Sequence, residues 1–380
     1  MVDRLRCTGC SACVSICPVE CIKMQLNGEG FLYPQLNLDM CIDCDLCNKV
    51  CPLNEKDSCN KVKSMQAYGN KDEIREHSTS GGFFTLISNW ILQNNGVVYG
   101  AIYTESFDVV HARADNELSR DQMRFSKYTQ SNLLGVYCSV YNDLLEEKKV
   151  LFTGTPCQVA GLNSFLKKKK VENTNLYTCD FICHGVPSPK LYKDYLHFIE
   201  QKYCDKIVDI NFRDKINGWH KPYLTIKMNE HIQSSPEAKE PFYFLFYNGC
   251  VLRESCYECQ YTNLNRPSDI TMGDCWGIEN SHPEFDDNKG LSLLLINTEK
   301  GEKLISCFNE DGEKFIPISL DDIRQPHLSK PARRSKKRDQ FWQDYYNKSF
   351  KSILNKYANY STASKLLYKL KRIIVRVIRK

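Results

Sequence analysis

Residues 7–18, CTGCSACVSICP, and residues 41–52, CIDCDLCNKVCP, decide the fold of the N-terminal part of this sequence. In both stretches the cysteines are spaced C-x2-C-x2-C-x3-C, and a proline follows the fourth cysteine. Cys7 recurs as Cys41, and each later cysteine recurs at the same shift of 34 residues. This repeat predicts a small pseudo-symmetric module, with GEGFLYPQLNL (28–38) as the strand and turn that join its halves.

The spacing is that of bacterial ferredoxin modules with two 4Fe-4S clusters, in which the fourth cysteine of each run binds the other run's cluster. The first predicted cluster has as ligands Cys7, Cys10, Cys13 and Cys51. The second predicted cluster has as ligands Cys41, Cys44, Cys47 and Cys17. Zinc is also bound by C-x2-C pairs, but it does not require a third cysteine at this spacing. Cys21 and Cys59 fit no ligand position, and we interpret them as ordinary thiols.

The composition narrows the class of protein. A length of 380 residues corresponds to about two or three domains, and 42% hydrophobic with 26% charged residues excludes wholesale disorder. Ten of the 20 cysteines lie within the first 59 residues, whereas a disulfide scaffold is typical of short secreted chains. No apolar stretch precedes Cys7, so we expect no secretory signal and a cytoplasmic location with metal-bound thiolates.

After a polar linker at 54–64, strand and helix patterns alternate along the chain. KVLFTG (149–154) predicts a strand and VAGLNSFL (159–166) a helix, with TPCQ between them. We therefore predict a mixed α/β or α+β fold class. The predicted domains are a ferredoxin-like module at 1–56, a larger α/β domain at 65–312 and a basic, mostly helical C-terminal extension at 313–380.

Seven strings of the larger domain together resemble the beta subunits of coenzyme F420-reducing hydrogenases and dehydrogenases. The strings are SGGFFT (80–85), SKYTQS (126–131), GTPCQVAGL (154–162), ICHGVPSP (182–189), FRDKINGW (212–219), CYECQY (256–261) and DITMGDCWGI (269–278). They follow the family's order over about residues 60–310, and an N-terminal ferredoxin module is a common fusion in its bacterial members. The resemblance implies a flavin-binding domain that carries FAD beside a 4Fe-4S cluster.

Four cysteines of these strings are candidate ligands of a third cluster. Cys157 is predicted to begin a helix, Cys183 follows a strand, and Cys256 and Cys259 form a C-x2-C pair. The residues alone leave open whether these thiols bind metal or are buried and inert. The resemblance implies that they bind a 4Fe-4S cluster. Nearby competitors for the ligand positions are Cys179, Cys250 and Cys275.

The FAD that the resemblance implies has candidate contacts in three strings. These are Ser80, Gly81, Gly82, Lys127, Tyr128, Thr155 and Gln158. Glycine lets the backbone approach a pyrophosphate, and a helix N-terminus favours its negative charge. We expect Lys127 to meet a phosphate or the flavin carbonyl edge and Tyr128 to stack, with a solvated lysine and a core tyrosine as the alternatives. No G-x-G-x-x-G follows a strand, so a Rossmann nicotinamide site is not predicted.

Lys127 and His184 form the predicted catalytic set. His184 adjoins Cys183, and a histidine's near-neutral pKa suits proton transfer to a reduced flavin. The alternative for His184 is a hydrogen-bond donor near the cluster. The basic pair Arg213 and Lys215 is interpreted either as a contact for an acidic substrate or as an ordinary surface pair.

The net charge of +5 is unevenly distributed, because residues 329–380 contain 16 Lys or Arg against two Asp. Within them, KLLYKLKRIIVRVIRK (365–380) has apolar residues on one side of a helical projection and basic residues on the other. This pattern predicts attachment to an anionic membrane surface or docking to protein. No nucleic-acid-binding motif accompanies the charge, so we expect no nucleic-acid partner.

Together the patterns predict an iron-sulfur flavoprotein oxidoreductase. Electrons would pass between the clusters and FAD, with hydride exchange to coenzyme F420 or another small acceptor. The expected partner is a redox protein or a small-molecule electron acceptor, and a peripheral position at the inner face of the cell membrane is a further expectation. The alternative is a non-catalytic electron-transfer subunit of a larger redox complex. The sequence lacks the C-x3-C-x2-C triplet of radical S-adenosylmethionine enzymes.

Overall fold

The computed structural model describes residues 3–54, 59–310 and 313–361. Its N-terminal module is an antiparallel hairpin between two short helices. In chain order these elements are α1 (Ala12–Ile16), β1 (Ile22–Leu26), β2 (Leu32–Leu36) and α2 (Leu46–Lys49). The second strand lies in the segment that the sequence predicts to join the two halves of the repeat.

The repeat is visible in the backbone as well as in the cysteines. Gly9 and Asp43 occupy matching positions and have left-handed φ angles of 71° and 50°. Ser11 and Asp45 match in the same way, at 65° and 58°. Left-handed residues in such loops orient successive amides toward one side, an arrangement found around iron-sulfur clusters. The predicted pseudo-symmetry of the module is therefore confirmed.

The other strands form one large sheet, one three-stranded sheet and one short pair. They are β3 (Asn60–Lys61), β4 (Ser64–Tyr68), β5 (Val97–Tyr103), β6 (Val109–Ala114), β7 (Val150–Gly154), β8 (Leu176–Phe181), β9 (Ile207–Asp214), β10 (Tyr223–Met228), β11 (Ile232–Pro236), β12 (Asn265–Arg266), β13 (Ile270–Asp274), β14 (Ser292–Ile296) and β15 (Phe315–Pro317).

The large sheet has the strand order β15-β4-β14-β13-β8-β7-β5-β6. Strands β5, β7, β8 and β13 are parallel, and β4 points the same way because both β4 and β13 pair antiparallel with β14. The carboxyl ends of these five strands therefore meet at one edge, where ligands of open α/β sheets usually bind.

Eleven further helices follow the module in the described part of the chain. They are α3 (Asp72–Glu76), α4 (Phe83–Gln93), α5 (Glu117–Asp121), α6 (Val136–Leu145), α7 (Pro156–Lys169), α8 (Pro189–Tyr203), α9 (Pro241–Tyr247), α10 (Ile278–Ser281), α11 (Glu299–Glu310), α12 (Arg338–Asn347) and α13 (Phe350–Tyr357). Local sequence fixes where α7 and α8 begin. Helix α7 has a capping box between Thr155 and Gln158, and α8 has Ser188 as its cap, with proline next in both.

An aromatic-rich core lies between the three-stranded sheet and helices α8, α9, α12 and α13. Its residues include Tyr195, Phe212, Phe242, Phe341 and Tyr357. The C-terminal extension thus packs on the larger domain, and its strand β15 pairs with β4. These contacts do not test the predicted domain boundaries, which stay predictions.

The basic C-terminal region is partly built into the fold. Arg338 is only 3% exposed, and its guanidinium donates at 2.8 and 2.5 Å to the Glu29 carboxylate in the hairpin turn of the N-terminal module. The amphipathic pattern at 365–380 lies outside the described residues and stays a prediction.

The mixed α/β class is confirmed, and so are the strand predicted at 149–154 and the helix predicted at 159–166. Across residues 3–54, 59–310 and 313–361, no helix has the length and apolarity needed to cross a bilayer.

Candidate iron-sulfur and flavin sites

The four predicted ligands of the first cluster surround one cavity. Cys7, Cys10, Cys13 and Cys51 all line it, together with the small residues Gly9 and Ser11. Burial, together with the charges of the neighbouring Cys7, Cys51 and Cys47, raises the pKa of Cys13 to about 12. Crowded thiols of this kind fit an iron cluster, because a cation stabilises the thiolates that burial and mutual repulsion disfavour.

The second predicted set is less separate from the first than the spacing suggests, because its member Cys47 lines the same cavity as the first set. Cys17 and Cys41 both lie next to Cys21. Burial, together with these two neighbours, raises the pKa of Cys21 to about 12. The Cys17 and Cys21 sulfurs are 3.4 Å apart, so the predicted ordinary thiol Cys21 contacts a predicted ligand. Cys44 is exposed, which leaves one predicted ligand open to solvent.

The sulfurs of the first set surround a cavity instead of converging on a point. Among the residues that the structure describes, no three His, Cys, Asp or Glu side chains are arranged to hold a single metal ion. In a 4Fe-4S cubane each cysteine binds a different iron atom, so its ligands stand around the cluster. The donor chemistry and the cavity therefore fit a cluster better than one zinc ion.

The four cysteines predicted for a third site come from three elements and lie together. Cys157 is at the second position of α7, and Cys183 follows β8. Cys256 lies in a short 3-10 helix (Glu254–Glu258), and Cys259 caps the end of that helix. Burial raises the pKa of Cys183, and the charges of the other three raise it further. The Thr155 hydroxyl is 3.1 Å from the Cys157 sulfur, and the Val186 amide donates to the Cys256 sulfur at 3.5 Å.

The three competing cysteines lie in other environments. Cys179 is buried within the large sheet, and Cys275 is buried beside Trp219 and Ile278. Burial and neighbouring carboxylates raise the pKa values of both thiols. Cys250 belongs to the aromatic-rich core. The fold thus brings the predicted four together and buries Cys179 and Cys275 in other cores, whereas Cys256 packs against the same aromatic-rich core as Cys250.

The third site adjoins the first cluster site. A Cβ atom placed on Gly161 of α7 would stand 2.9 Å from the Cys10 sulfur, so only glycine allows this contact. The charge of Cys157 contributes to the raised pKa of Cys10, after burial and the nearer Cys13 and Cys7. The two sites are therefore neighbours across the contact between the module and the larger domain.

Arg253 is a site residue that sequence reasoning missed. It is fully buried, and its guanidinium donates to the Cys7 carbonyl at 2.7 Å, the Leu32 carbonyl at 3.0 Å and Gln130 Oε1 at 3.0 Å. One nitrogen is 3.8 Å from the Cys7 sulfur. Arg253 therefore joins the first cluster loop to the larger domain. Its place three residues before Cys256 was the available signal.

The SGG string (80–82) lies at the carboxyl edge of the large sheet, where its polar groups form hydrogen bonds with other residues of the protein. Ser80 donates to the Leu291 carbonyl at 2.6 Å, and the Gly81 amide donates to the Ser292 hydroxyl at 3.1 Å. A Cβ atom on Gly81 would stand 2.1 Å from the Tyr68 carbonyl. Close packing against β4 and β14 thus requires this glycine, and Gly82 caps α4 at φ 87°.

Lys127 and Tyr128 are also held by the protein. The Lys127 ammonium donates to the carbonyls of Gln122 at 2.8 Å, Arg124 at 2.6 Å and Phe125 at 3.2 Å. Burial lowers the pKa of Lys127 to about 7. The Tyr128 ring stacks on Phe212 at 4.9 Å, which matches the alternative of a core tyrosine. All three N–H donors of Lys127 are occupied in this conformation.

Thr155 and Gln158 lie beside the third site. The Gln158 side chain accepts from the Thr155 amide at 2.9 Å and donates to the Ser131 hydroxyl at 2.9 Å. The two residues thereby fix the start of α7, and with it the position of Cys157, relative to the SKYTQS string.

His184 pairs with a histidine that no sequence pattern singles out. Its Nδ1 is 2.6 Å from Nε2 of His327, and its other nitrogen is buried without a partner. Burial, together with the charge of His327, lowers the pKa of His184 to about 4. His184 is therefore neutral at pH 7, and in this pair it either donates to or accepts from His327.

Arg213 and Lys215 are not a surface pair. Arg213 forms an ion pair with Asp274 at 3.2 Å and lies over the Trp276 ring at 5.0 Å. Lys215 donates to the Ser80 carbonyl at 2.9 Å, and burial lowers its pKa to about 8. These contacts connect the SGG string to the strand end that carries Asp274.

A ferredoxin-type module joined to an α/β domain with a further four-cysteine site defines an iron-sulfur protein of the electron-transfer class. The family model for the C terminus of the beta subunit of coenzyme F420 hydrogenase/dehydrogenase matches residues 147–316, and the model for the 4Fe-4S dicluster domain matches residues 6–54. Residues 147–316 are therefore similar to the beta subunits of coenzyme F420 hydrogenases and dehydrogenases, and residues 6–54 are similar to 4Fe-4S dicluster domains.

Comparisons with individual proteins agree with this assignment. The beta subunit of F420-dependent formate dehydrogenase 1 from Methanococcus maripaludis is 20% identical over 240 residues, or 63% of this chain and 57% of that subunit. A 7Fe ferredoxin from Hydrogenibacillus schlegelii is 43% identical over 44 residues, or 12% of this chain and 50% of that ferredoxin. The chain thus spans between half and two thirds of each of these relatives.

Among solved structures, a chain of the F420-reducing [NiFe] hydrogenase complex from Methanosarcina barkeri is 14% identical. It has a TM-score of 0.46, and the match covers 71% of this chain and 86% of the hydrogenase chain.

Proposed function

We propose that this protein is an iron-sulfur flavoprotein oxidoreductase with three 4Fe-4S clusters and FAD. The observation that carries the proposal is the contact of the first cluster site with the third, where Cys10 lies against Gly161 on the helix that begins beside Cys157. When bound, the clusters would supply one-electron carriers, and the flavin would exchange between one-electron and two-electron chemistry.

The protein's own residues would set distance and electrostatics. Gly161 permits close approach of the two sites, and Arg253 holds the first cluster loop by three hydrogen bonds. The capping box of Thr155 and Gln158 fixes Cys157 at the start of α7. Gly161, Arg253, Thr155 and Gln158 are all buried.

The flavin would lie at the carboxyl edge of the sheet, between the third site and the region around Arg213. The SGG and SKYTQS strings meet there, since Ser126 is 3.4 Å from Thr79 and Lys215 bonds Ser80. The formate dehydrogenase relative is described as F420-dependent, and we propose a deazaflavin or another small hydride acceptor as substrate. Neutral His184, beside Cys183, stays the candidate for proton transfer.

A second candidate is an electron-transfer subunit that holds no flavin. The specific observation in its favour is that the predicted flavin contacts are used within the chain, as Lys127 is by three carbonyls. Flavin content decides between the two candidates.

The test is cofactor analysis of the full chain purified without oxygen. We expect about 12 iron atoms per chain for three 4Fe-4S clusters, one FAD, and reduction of coenzyme F420 by the reduced protein. The Cys157→Ser variant should lose about four iron atoms and keep both N-terminal electron paramagnetic resonance signals. The exposed Cys307→Ser variant is the matched control.

Unchanged iron in Cys157→Ser would overturn the third-cluster assignment. Full iron content without flavin would select the electron-transfer subunit instead.

A further inference from the structure

We infer that the surface around the second cluster is a docking site for a one-electron carrier protein with an apolar, positively rimmed face. The inference rests on the proposed electron path and names the kind of partner at its outer end. We call residues 37–45 the outer loop, because they surround the exposed ligand Cys44.

The outer loop displays three large apolar side chains to solvent. Leu38 is 75% exposed, Met40 is 49% exposed and Ile42 is 60% exposed, all within five residues. Isolated exposed hydrophobics are common, but a group of them beside a redox ligand is typical of an interaction surface. Interfaces of electron-transfer proteins are small, so a few apolar side chains suffice.

Charge identifies the partner's chemistry. Asp39, Asp43 and Asp45 of the outer loop are all exposed and alternate with the apolar residues. The nearest basic residue in sequence is Lys49, which is 3.9 Å from Asp45. An acidic rim around an apolar patch attracts a partner with a lysine or arginine rim and raises its association rate at low salt.

The position of Cys44 in the fold also supports a docking site at the outer loop. The first cluster site faces the larger domain at Gly161, whereas Cys44 of the second site faces solvent. A partner at the outer loop would therefore reach the end of the cluster series that is farther from the third site. Each event moves one electron between a protein cluster and the partner's redox centre, with no bond or proton exchanged.

The test uses the full chain, reduced without oxygen, and cytochrome c as the basic one-electron oxidant. The paired variant Leu38→Ser with Asp39→Asn, which leaves the loop between Cys41 and Cys44 unchanged, should lower the second-order rate constant about 10-fold at low ionic strength. The matched control is Ile232→Ser with Glu230→Gln, an exposed apolar and acidic pair on the three-stranded sheet.

Menadione, a small neutral oxidant, separates docking from cluster damage. Its rate should be equal in the native protein and the paired variant, and the rate with cytochrome c should fall as salt rises. If the paired variant disturbs the second cluster, the single variant Leu38→Ser probes the same surface from an exposed position farther from Cys44.

Two results would overturn the docking site: equal cytochrome c rates in native and variant proteins, or faster oxidation by an acidic plant-type ferredoxin at low salt. A failure of the proposed function would give a different result from a failure of the docking site. Dithionite would then leave the third site or the flavin unreduced, whether or not the rates with protein carriers changed.

Discussion

Cys10, in the first half of the cysteine repeat, lies against Gly161 of the larger domain, whereas Cys44, at the matching position in the second half, is exposed. The two halves share their spacing and their left-handed loop residues. They differ in the protein that surrounds them. Spacing therefore predicts which sulfurs share a cluster, and tertiary contacts define which half faces the larger domain and which faces solvent.

The largest expected effect comes from replacing the matching ligands. Cys10→Ser should lower the rate of electron transfer from an external carrier to the third site by at least about 100-fold, because it breaks the inner connection. Cys44→Ser should change mainly the second cluster and its reaction with protein carriers. Stopped-flow reduction with both cluster signals recorded measures the difference. If both variants lowered the rate of electron transfer to the third site equally, the two halves of the repeat would not differ in their connection to that site.

Gly161→Val should affect the inner half alone. The added carbons would meet the Cys10 sulfur and the Tyr137 hydroxyl, which lie 2.9 and 2.8 Å from the Cβ position. Overpacking of this kind destabilises by about 1–3 kcal/mol. Denaturant unfolding checks the stability, and the second cluster's signal is an internal control that should not move. A variant as stable as the native protein with an unchanged first cluster would contradict the contact.

Arg253→Gln should make the first cluster harder to reduce. It removes a positive charge 3.8 Å from the Cys7 sulfur, and a loss of about 1 kcal/mol corresponds to about 40 mV for one electron. Arg338→Gln is the matched control, because it also removes a buried arginine that bonds the module. Redox titration should show a shift in the first variant only, and equal potentials would leave Arg253 a purely structural contact.

The smallest expected effect is a difference in oxidative damage. On exposure to dioxygen the second cluster should lose its signal several times faster than the first, because Cys44 is exposed. The time course of the two resonance signals measures this. Simultaneous loss would mean that the larger domain gives the inner half no protection.

Much of the fold and part of the site could be predicted from local patterns. The strand and helix around GTPCQ depend on an apolar run, a capping box and a proline, all within about 20 residues. The sequence strings also identified the candidate ligands of the third site, which are Cys157, Cys183, Cys256 and Cys259. Their separation from Cys179 and Cys275, both buried elsewhere, required the packed fold.

Contacts between distant segments could not be predicted. Arg253 reaches the carbonyl of Cys7 across 246 positions, and His184 meets His327 across 143. Neither arginine nor histidine has a local spacing that marks such a role. The predicted flavin contact Lys127 is likewise satisfied by carbonyls that only the folded loop brings together.

The sequence by itself determined the cluster chemistry, because ligand spacing within a short loop is a local property that no distant contact alters. Only the tertiary structure decided which half of the cysteine repeat faces the larger domain. Which sulfur is enclosed and which meets water depends on how the module packs on the larger domain, through Gly161, Arg253 and Arg338. These contacts join residues far apart in the chain, so burial and long-range hydrogen bonding, not spacing, fix them.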